Sequence, residues 1–255
     1  MKTAYVVANA KSEHQMKWGV AFAAGLRRHR WKVTIADDLA PGELVVMWGA
    51  RRKDRIDRAK HQGAEVCILE CGYVGDRLKW SSVSFEGGLN GRGVFRGPLN
   101  DSSRWERRFA HLMQPWRERP DGPVVIMGQV PGDTAVSNVD LPAFYAECDR
   151  AYRALGFDTV LRPHPKVRQT VPIESALLNA RCVVTWNSNS GVDAVLAGVP
   201  TVTMDEGAIA WPVAGHVLAL PPTPDRSAWA HALAWKQWTL EEMTSGECWA
   251  TVGTA

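Results

Sequence analysis

Thr185-Trp186-Asn187-Ser188-Asn189-Ser190-Gly191-Val192-Asp193-Ala194-Val195-Leu196-Ala197-Gly198-Val199-Pro200 reads as a strand end, a polar turn and a helix that stops at Gly-Val-Pro. A strand that runs through a turn into a helix is the repeating unit of a parallel α/β sheet. The turn offers backbone N–H groups and hydroxyls at a helix N-terminus, where an anion is favoured. Upstream, Leu161-Arg162-Pro163-His164-Pro165 ends another strand and brings charge-assisted donors to the same neighbourhood. The two stretches together predict a phosphate site, suited to a nucleotide mono- or diphosphate carrying a group to transfer.

Outward from these residues, strand-like apolar runs alternate with helix-period segments along the whole chain. In the first half strands are expected at 4–8, 31–36, 44–48 and 66–69, with helices at 13–28 and 51–62. Ser12 with Gln15 three residues on forms a capping box that fixes the start of the first helix. Between Cys71 and Asp101 the pattern gives way to a glycine-rich irregular segment containing Gly88-Leu89-Asn90-Gly91-Arg92-Gly93. A helix at 103–113 leads into a proline-rich passage, 114–123, that reads as an interdomain linker. The second half restarts with a strand at 124–127 and continues with a helix at 141–155 and a strand at 159–161. A short helix opening at Pro172 comes next, then strands at 182–185 and 201–204 flanking the helix to Ala197. Helices at 227–238 and 240–245 close the chain, with Thr239 and Glu242 as a second capping box. The expected architecture is α/β: two Rossmann-like domains, 1–120 and 121–255, facing a cleft, with the closing helices in the second.

Composition fits that architecture. A chain of 255 residues with 45% hydrophobic content builds two cores. No apolar run reaches the length needed to cross a bilayer, and the first residues lack a signal-peptide pattern, so a cytoplasmic protein is expected. The five cysteines, Cys67, Cys71, Cys148, Cys182 and Cys248, have no zinc-ligand spacing and read as free thiols. A net charge of +3 demands no polyanionic partner, although cations gather at 27–30 and 51–60, either as solvated helix faces or as a groove. Of twelve tryptophans, Trp229, Trp235, Trp238 and Trp249 fall near the end, where packing onto the body is the expected role. Walker, Gly-x-Ser-x-Gly and Asp-x-Asp motifs are missing, so neither an NTPase, nor a serine hydrolase, nor a metal-dependent GT-A transferase is indicated.

The stretch from Gly191 to Pro200 resembles the nucleotide-binding end of GT-B glycosyltransferases. There a glycine-led helix holds the donor phosphates and an acid contacts the ribose. The resemblance implies phosphate contacts for Ser188, Asn189 and Ser190 and a ribose contact for Asp193. Bacterial sialyltransferases and capsule-type Kdo transferases, which use cytidine monophosphate sugars, carry an acid-acid-Gly motif, a His-Pro pair and a serine-rich motif. This chain resembles all three in order: Glu70-Cys71-Gly72-Tyr73, His164-Pro165 and Ser188–Ser190, with Cys71 standing where the second acid would be. On that resemblance Glu70 is the general base.

The chemistry asks for the same residue types without the family. Sugar transfer to a hydroxyl needs a base for the acceptor proton and donors for the departing phosphate. Glu70 supplies the first; Arg162, His164 and the serine turn supply the second. Gln129 and Asp133, in Gly-Gln-Val-Pro-Gly-Asp, are placed to contact base or ribose, although a Pro-Gly turn explains half of that motif. Tyr73, Asn90 and Arg92 are candidate acceptor contacts, with Arg92 on a phosphate or carboxylate. Plainer roles stay open: Ser-Asn-Ser as a helix cap, Glu70 as a turn cap, His164 as a structural histidine, and 88–93 as a surface loop. The expected co-substrate is a UDP- or CMP-linked sugar, with no tightly bound cofactor and no metal. The acceptor is either a glycan or a hydroxymethylated base in phage-type DNA. A sugar-nucleotide epimerase and a non-catalytic nucleotide-binding protein are the alternatives.

Overall fold

The computed structural model describes residues 1–253 as two compact units, one formed by Met1–Glu106 with the chain from Ala230 onward, the other by Arg107–Trp229. The division expected at residue 120 therefore falls earlier, and the closing helices belong with the first unit rather than the second.

The first unit contains β1 (Thr3–Val7), α1 (Glu13–Arg28), β2 (Lys32–Ala36), β3 (Leu44–Trp48), α2 (Lys53–His61), β4 (Glu65–Cys71), β5 (Trp80–Phe85) and most of α3 (Ser103–Arg108). The second contains β6 (Val124–Met127), α4 (Leu141–Ala154), β7 (Thr159–Arg162), α5 (Ile173–Leu178), β8 (Cys182–Thr185), α6 (Ser190–Leu196), β9 (Thr201–Thr203) and the start of α7 (Ser227–Trp235). The chain then returns to the first unit as β10 (Gln237–Thr239), α8 (Leu240–Ser245) and α9 (Glu247–Val252).

The first sheet has the order β10-β5-β4-β3-β1-β2. Its strands β1 to β4 pair in parallel, while β5 and β10 are antiparallel additions at one edge. The period-2 rule divides each central strand between two cores. Leu44 and Val46 of β3, with Cys67 and Leu69 of β4, pack with Trp18, Phe22 and Leu26 of α1 and Trp249 of α9. Their neighbours Val45, Met47, Val66 and Ile68 pack on the opposite face with Ile56 and Ala59 of α2. Helix α1 meets α8 closely enough that a Cβ on Gly25 would lie 2.1 Å from the Met243 carbonyl oxygen, so only glycine fits there. A buried ion pair also ties the returning segment in: Arg104 Nη1 and Nη2 donate to Glu242 at 2.7 Å each, and Nε donates to Ala234 O at 2.9 Å.

The second sheet, β7-β6-β8-β9, is parallel throughout. Val124, Ile126, Cys182 and Val184 pack with Phe144, Cys148 and Tyr152 of α4, while Val125, Met127 and Val183 pack with Leu177, Ala194 and Val199. Both units are thus three-layered, with helices on either face of a mostly parallel sheet.

Several expectations are corrected. The glycine-rich segment after Cys71 holds a true strand, β5, whose Ser81, Ser82 and Ser84 are buried because Ser82 donates to Glu70 O and Ser84 to Gly88 O. The helix expected through Trp238 stops at Trp235, and Gln237–Thr239 pairs with β5 instead. Trp238 is fully buried all the same. The proline-rich passage is no free tether: Gln114 N and Arg117 N donate to Leu196 O and Gly198 O, and Trp116 Nε1 donates to Pro224 O, within the second unit. The first capping box is half formed. Ser12 accepts from Gln15 N, but the Gln15 amide turns to Asn9 N. The second, Thr239 with Glu242, is complete. None of the five cysteines is in a disulfide, and among the described residues no helix is long and apolar enough to cross a membrane.

Candidate functional site

In the second unit β6 lies between β7 and β8, so the carboxyl ends of three neighbouring parallel strands deliver their loops side by side. Ligands of parallel α/β sheets bind at this end. Gly128 draws two of the loops together. Its N–H donates to Arg162 O at 2.8 Å, and a Cβ there would stand 2.9 Å from Pro163 Cα and 3.0 Å from His164 N.

Around the third loop the polar side chains form one network. Gln129 Oε1 accepts from Asn187 N at 3.1 Å and from Thr185 Oγ1 at 3.2 Å, and its Nε2 donates to Asn187 Oδ1 at 2.9 Å. Asn187 Nδ2 donates to Ala135 O and to Asp205 Oδ2, both at 2.8 Å. Both ends of the Gln129 amide, expected to contact base or ribose, are thus engaged inside the protein, where they hold the loop after β8. Asn187, 5% exposed, is the hub of the loop. Sequence reasoning passed over it because four polar residues in a row carry no sign of which one is buried.

The turn itself continues this pattern. Ser188 N donates to Thr185 Oγ1 and Ser190 N to Ser188 Oγ, each at 3.2 Å. Ser190 is 8% exposed, and among the described residues its Oγ has no hydrogen-bond partner. A buried hydroxyl left in that state is costly and calls for a reason. Asn189 and the half-buried Asp193 sit on the same turn and the first turn of α6.

Arg162, 9% exposed, donates Nε to Val171 O at 3.1 Å. Burial lowers its pKa, and the carboxylates of Glu174 and Asp193 oppose that shift, so the guanidinium stays charged with Asp193 in its field. His164 is half-buried; its Nδ1 accepts from Lys166 N at 3.1 Å, which leaves Nε2 as the protonated nitrogen of the neutral ring. Asp133 is exposed in the Val130–Asp133 turn, where Gly132 takes φ +76°, so the turn role is the one the structure displays.

In the first unit Glu70 ends β4, half-buried, with Oε1 accepting from Cys71 N at 2.9 Å. Its Oε2 lies 3.3 Å from where a Cβ on Gly49 would be, at the carboxyl end of β3. Tyr73 is 3% exposed: its N–H donates to Gln237 Oε1 at 2.7 Å and its hydroxyl bonds Ser82. Burial raises its pKa. Tyr73, expected as an acceptor contact, is therefore a buried residue just beyond the end of β4. Asn90 and Arg92 form a tight 3-10 turn beyond β5, Asn90 at φ +53° and Arg92 exposed. Among the described residues no group of three or more His, Cys, Asp or Glu is placed to hold a metal ion.

Two units, each a mostly parallel sheet between helices, with polar loops at the carboxyl strand ends, make this a GT-B-like α/β fold. Two solved structures of that kind are similar over nearly the whole chain. The beta Kdo 2,4 transferase of KpsC from Thermosulfurimonas dismutans aligns at TM-score 0.62 and 13% identity, covering 94% of this chain and 92% of its own. The beta Kdo 2,7 transferase of the same organism's KpsC aligns at TM-score 0.58 and 13% identity, covering 97% and 98%. At that identity the likeness is one of fold. No protein-family model and no curated protein matches the sequence.

Proposed function

We propose that the protein is a glycosyltransferase that moves a sugar from a nucleotide-sugar donor to an acceptor hydroxyl with inversion and without an essential metal. The observation that carries this reading is the group at the carboxyl ends of β7 and β8. A charged, largely buried Arg162, the His164 imidazole, and a Ser190 hydroxyl unsatisfied among the described residues lie on the loops after β7 and β8, on either side of β6 at one end of the sheet. Such a set suits the phosphate of a UDP- or CMP-linked sugar, with Asp193 assigned to the ribose and Ser188 and Asn189 shaping the turn.

In the proposed reaction the acceptor oxygen attacks the anomeric carbon as the Glu70 carboxylate takes the hydroxyl proton. The bond from that carbon to the phosphate oxygen breaks, and the nucleotide leaves with the electron pair. Arg162, His164 and Ser190 meet the charge that develops on it.

Of the two cationic clusters a DNA groove would use, the one at 27–30 is taken up within its own unit, which supports a glycan acceptor over a hydroxymethylated DNA base. Arg27, Arg28 and His29 are bonded to the carbonyls of Val33, Thr244 and Gly246, so that cluster braces its own unit rather than lining a groove.

The test is turnover of a panel of nucleotide sugars by the purified protein and its Glu70→Gln variant. Expected are slow hydrolysis of one donor by the wild type, transfer when the acceptor is supplied, and loss of transfer in E70Q with donor binding retained. Unchanged turnover in E70Q removes Glu70 from the role, and failure of every donor to bind removes the proposal.

A further inference from the structure

Resting on the transfer reading above, we infer that the acceptor carries a negatively charged oxyanion, a phosphate or a carboxylate, and that a pocket in the first unit grips it through Arg51 and Arg55. The pocket opens at the carboxyl ends of β1 and β3 and encloses about 520 Å³, within the range of small-ligand sites. Tyr73, Asn90 and Arg92 do not line it, whereas Arg51, Arg52 and Arg55 belong to the cationic cluster at 51–60.

Three arginines and one aspartate, Asp37, face this space. Arg52 is already matched: its Nε and Nη2 donate to both oxygens of Asp54, at 2.9 and 2.8 Å. Arg51 has no hydrogen bond or ion pair among the described residues. Arg55 donates Nη1 to the Asp37 carbonyl at 2.7 Å and pairs at 3.5 Å with Asp38, which Arg58 shares; among the described residues its buried Nε has no partner. Asp37 itself accepts from Ala10 N at 3.1 Å, which occupies one of its carboxylate oxygens. Two guanidinium groups with unfilled donors therefore outweigh one carboxylate in the same pocket. A planar fork with vacant N–H positions is matched by the paired oxygens of a phosphate or carboxylate.

The remaining walls fit a sugar. Trp48 gives an aromatic ring, packed edge-to-face with the His14 ring at 4.7 Å, and Asn9 and Gln15 bring amides. Gly49, which lines the pocket, is the residue against which the Glu70 carboxylate lies. A ligand anchored on Arg51 and Arg55 thus sits in the unit that carries the proposed base, beside the backbone the base touches.

The experiment is calorimetric titration of the full chain, without donor, using glucose 6-phosphate, glucuronate and neutral glucose. At least one charged sugar is expected to bind, with glucose weaker by roughly 10-fold or more. Arg51→Gln, at an exposed residue without partners, is expected to leave the melting temperature unchanged and to weaken the charged probe by a similar factor. Arg55→Lys, which keeps the charge and loses the fork, is expected to weaken it as well. Preference for glucose 6-phosphate assigns a phosphorylated acceptor, and preference for glucuronate assigns a sugar acid. Equal binding of glucose, or wild-type affinity in R51Q, overturns the inference. So does a short DNA duplex that binds with steep salt dependence while neither charged sugar competes. Because no turnover is read, failure here leaves the transfer reading standing, and failure of E70Q leaves the pocket standing.

Discussion

Replacing Asn187 by aspartate changes one NH₂ group into an oxygen at nearly constant shape, so its effect can be worked out from the bonds that group makes. Asn187 Nδ2 donates to the Ala135 carbonyl and to the Asp205 carboxylate, both at 2.8 Å. In Asn187→Asp both bonds disappear, at a cost of about 1 kcal/mol for the neutral acceptor and about 1.5–3 kcal/mol for the charged one. The new carboxylate then faces Asp205 at hydrogen-bond distance, where two negative charges cannot both persist and one group holds a proton more tightly than usual. The loss at pH 8 should therefore be about 3–4 kcal/mol or somewhat more, a large part of a domain's roughly 5–15 kcal/mol. Its pH dependence has a definite sign. The folded variant binds a proton that the unfolded chain releases, so its stability relative to the wild type falls as pH rises and recovers toward pH 5. Urea unfolding followed by circular dichroism at pH 5 and pH 8 measures both quantities. A variant within about 0.5 kcal/mol of the wild type at pH 8, the scatter of ordinary surface changes, or a deficit that does not shrink on acidification, would refute the argument that Asn187 organises the loop.

Two further outcomes are expected. Gly128→Ala puts a methyl group 2.9 Å from Pro163 Cα; it should separate the ends of β6 and β7 and weaken binding of CMP or UDP by roughly 10-fold, read by titration calorimetry. Arg104→Met strands the buried Glu242, and about 3–5 kcal/mol of first-unit stability should be lost in urea, with the double variant Arg104→Met/Glu242→Met recovering most of it.

What was legible in the sequence was what local chemistry decides. Helix α1 begins at Glu13 because Ser12, just before it, accepts from Gln15 N three residues on, and α8 begins at Leu240 because Thr239 and Glu242 satisfy each other. Strands β3, β6 and β8 stand where apolar runs predict them, since residues buried on both faces need no distant partner to be recognised. What stayed hidden depends on partners far along the chain. Gln237 looks like a solvated residue until its amide oxygen is found accepting from Tyr73 N and Val74 N, some 160 residues earlier. The serines of β5 break the hydrophobic pattern yet are buried and hydrogen-bonded. At the site, the His-Pro and serine motifs pointed to strand ends on the same side of one sheet, but not to the division of labour in which Gln129 and Asn187 hold the loop while, among the described residues, the Ser190 hydroxyl is left unsatisfied. Pro115 and its neighbours looked like a tether because the carbonyls that receive them lie about 80 residues further on.

The return of the chain after Ala230 sets the order in which the molecule can be completed during synthesis. Residues 107–229 form one uninterrupted stretch, so the second unit has all of its parts as soon as that stretch is made. The first unit, begun earlier, still lacks β10, α8 and α9 at that moment. Until they arrive, the outer edge of β5 has no strand to pair with, and Trp18, Phe22 and Leu26 of α1 lack Trp238 and Trp249. A released chain that ends before residue 237 would hold one finished half and one half with an open sheet edge, the form in which a β-structure is most prone to stick to others.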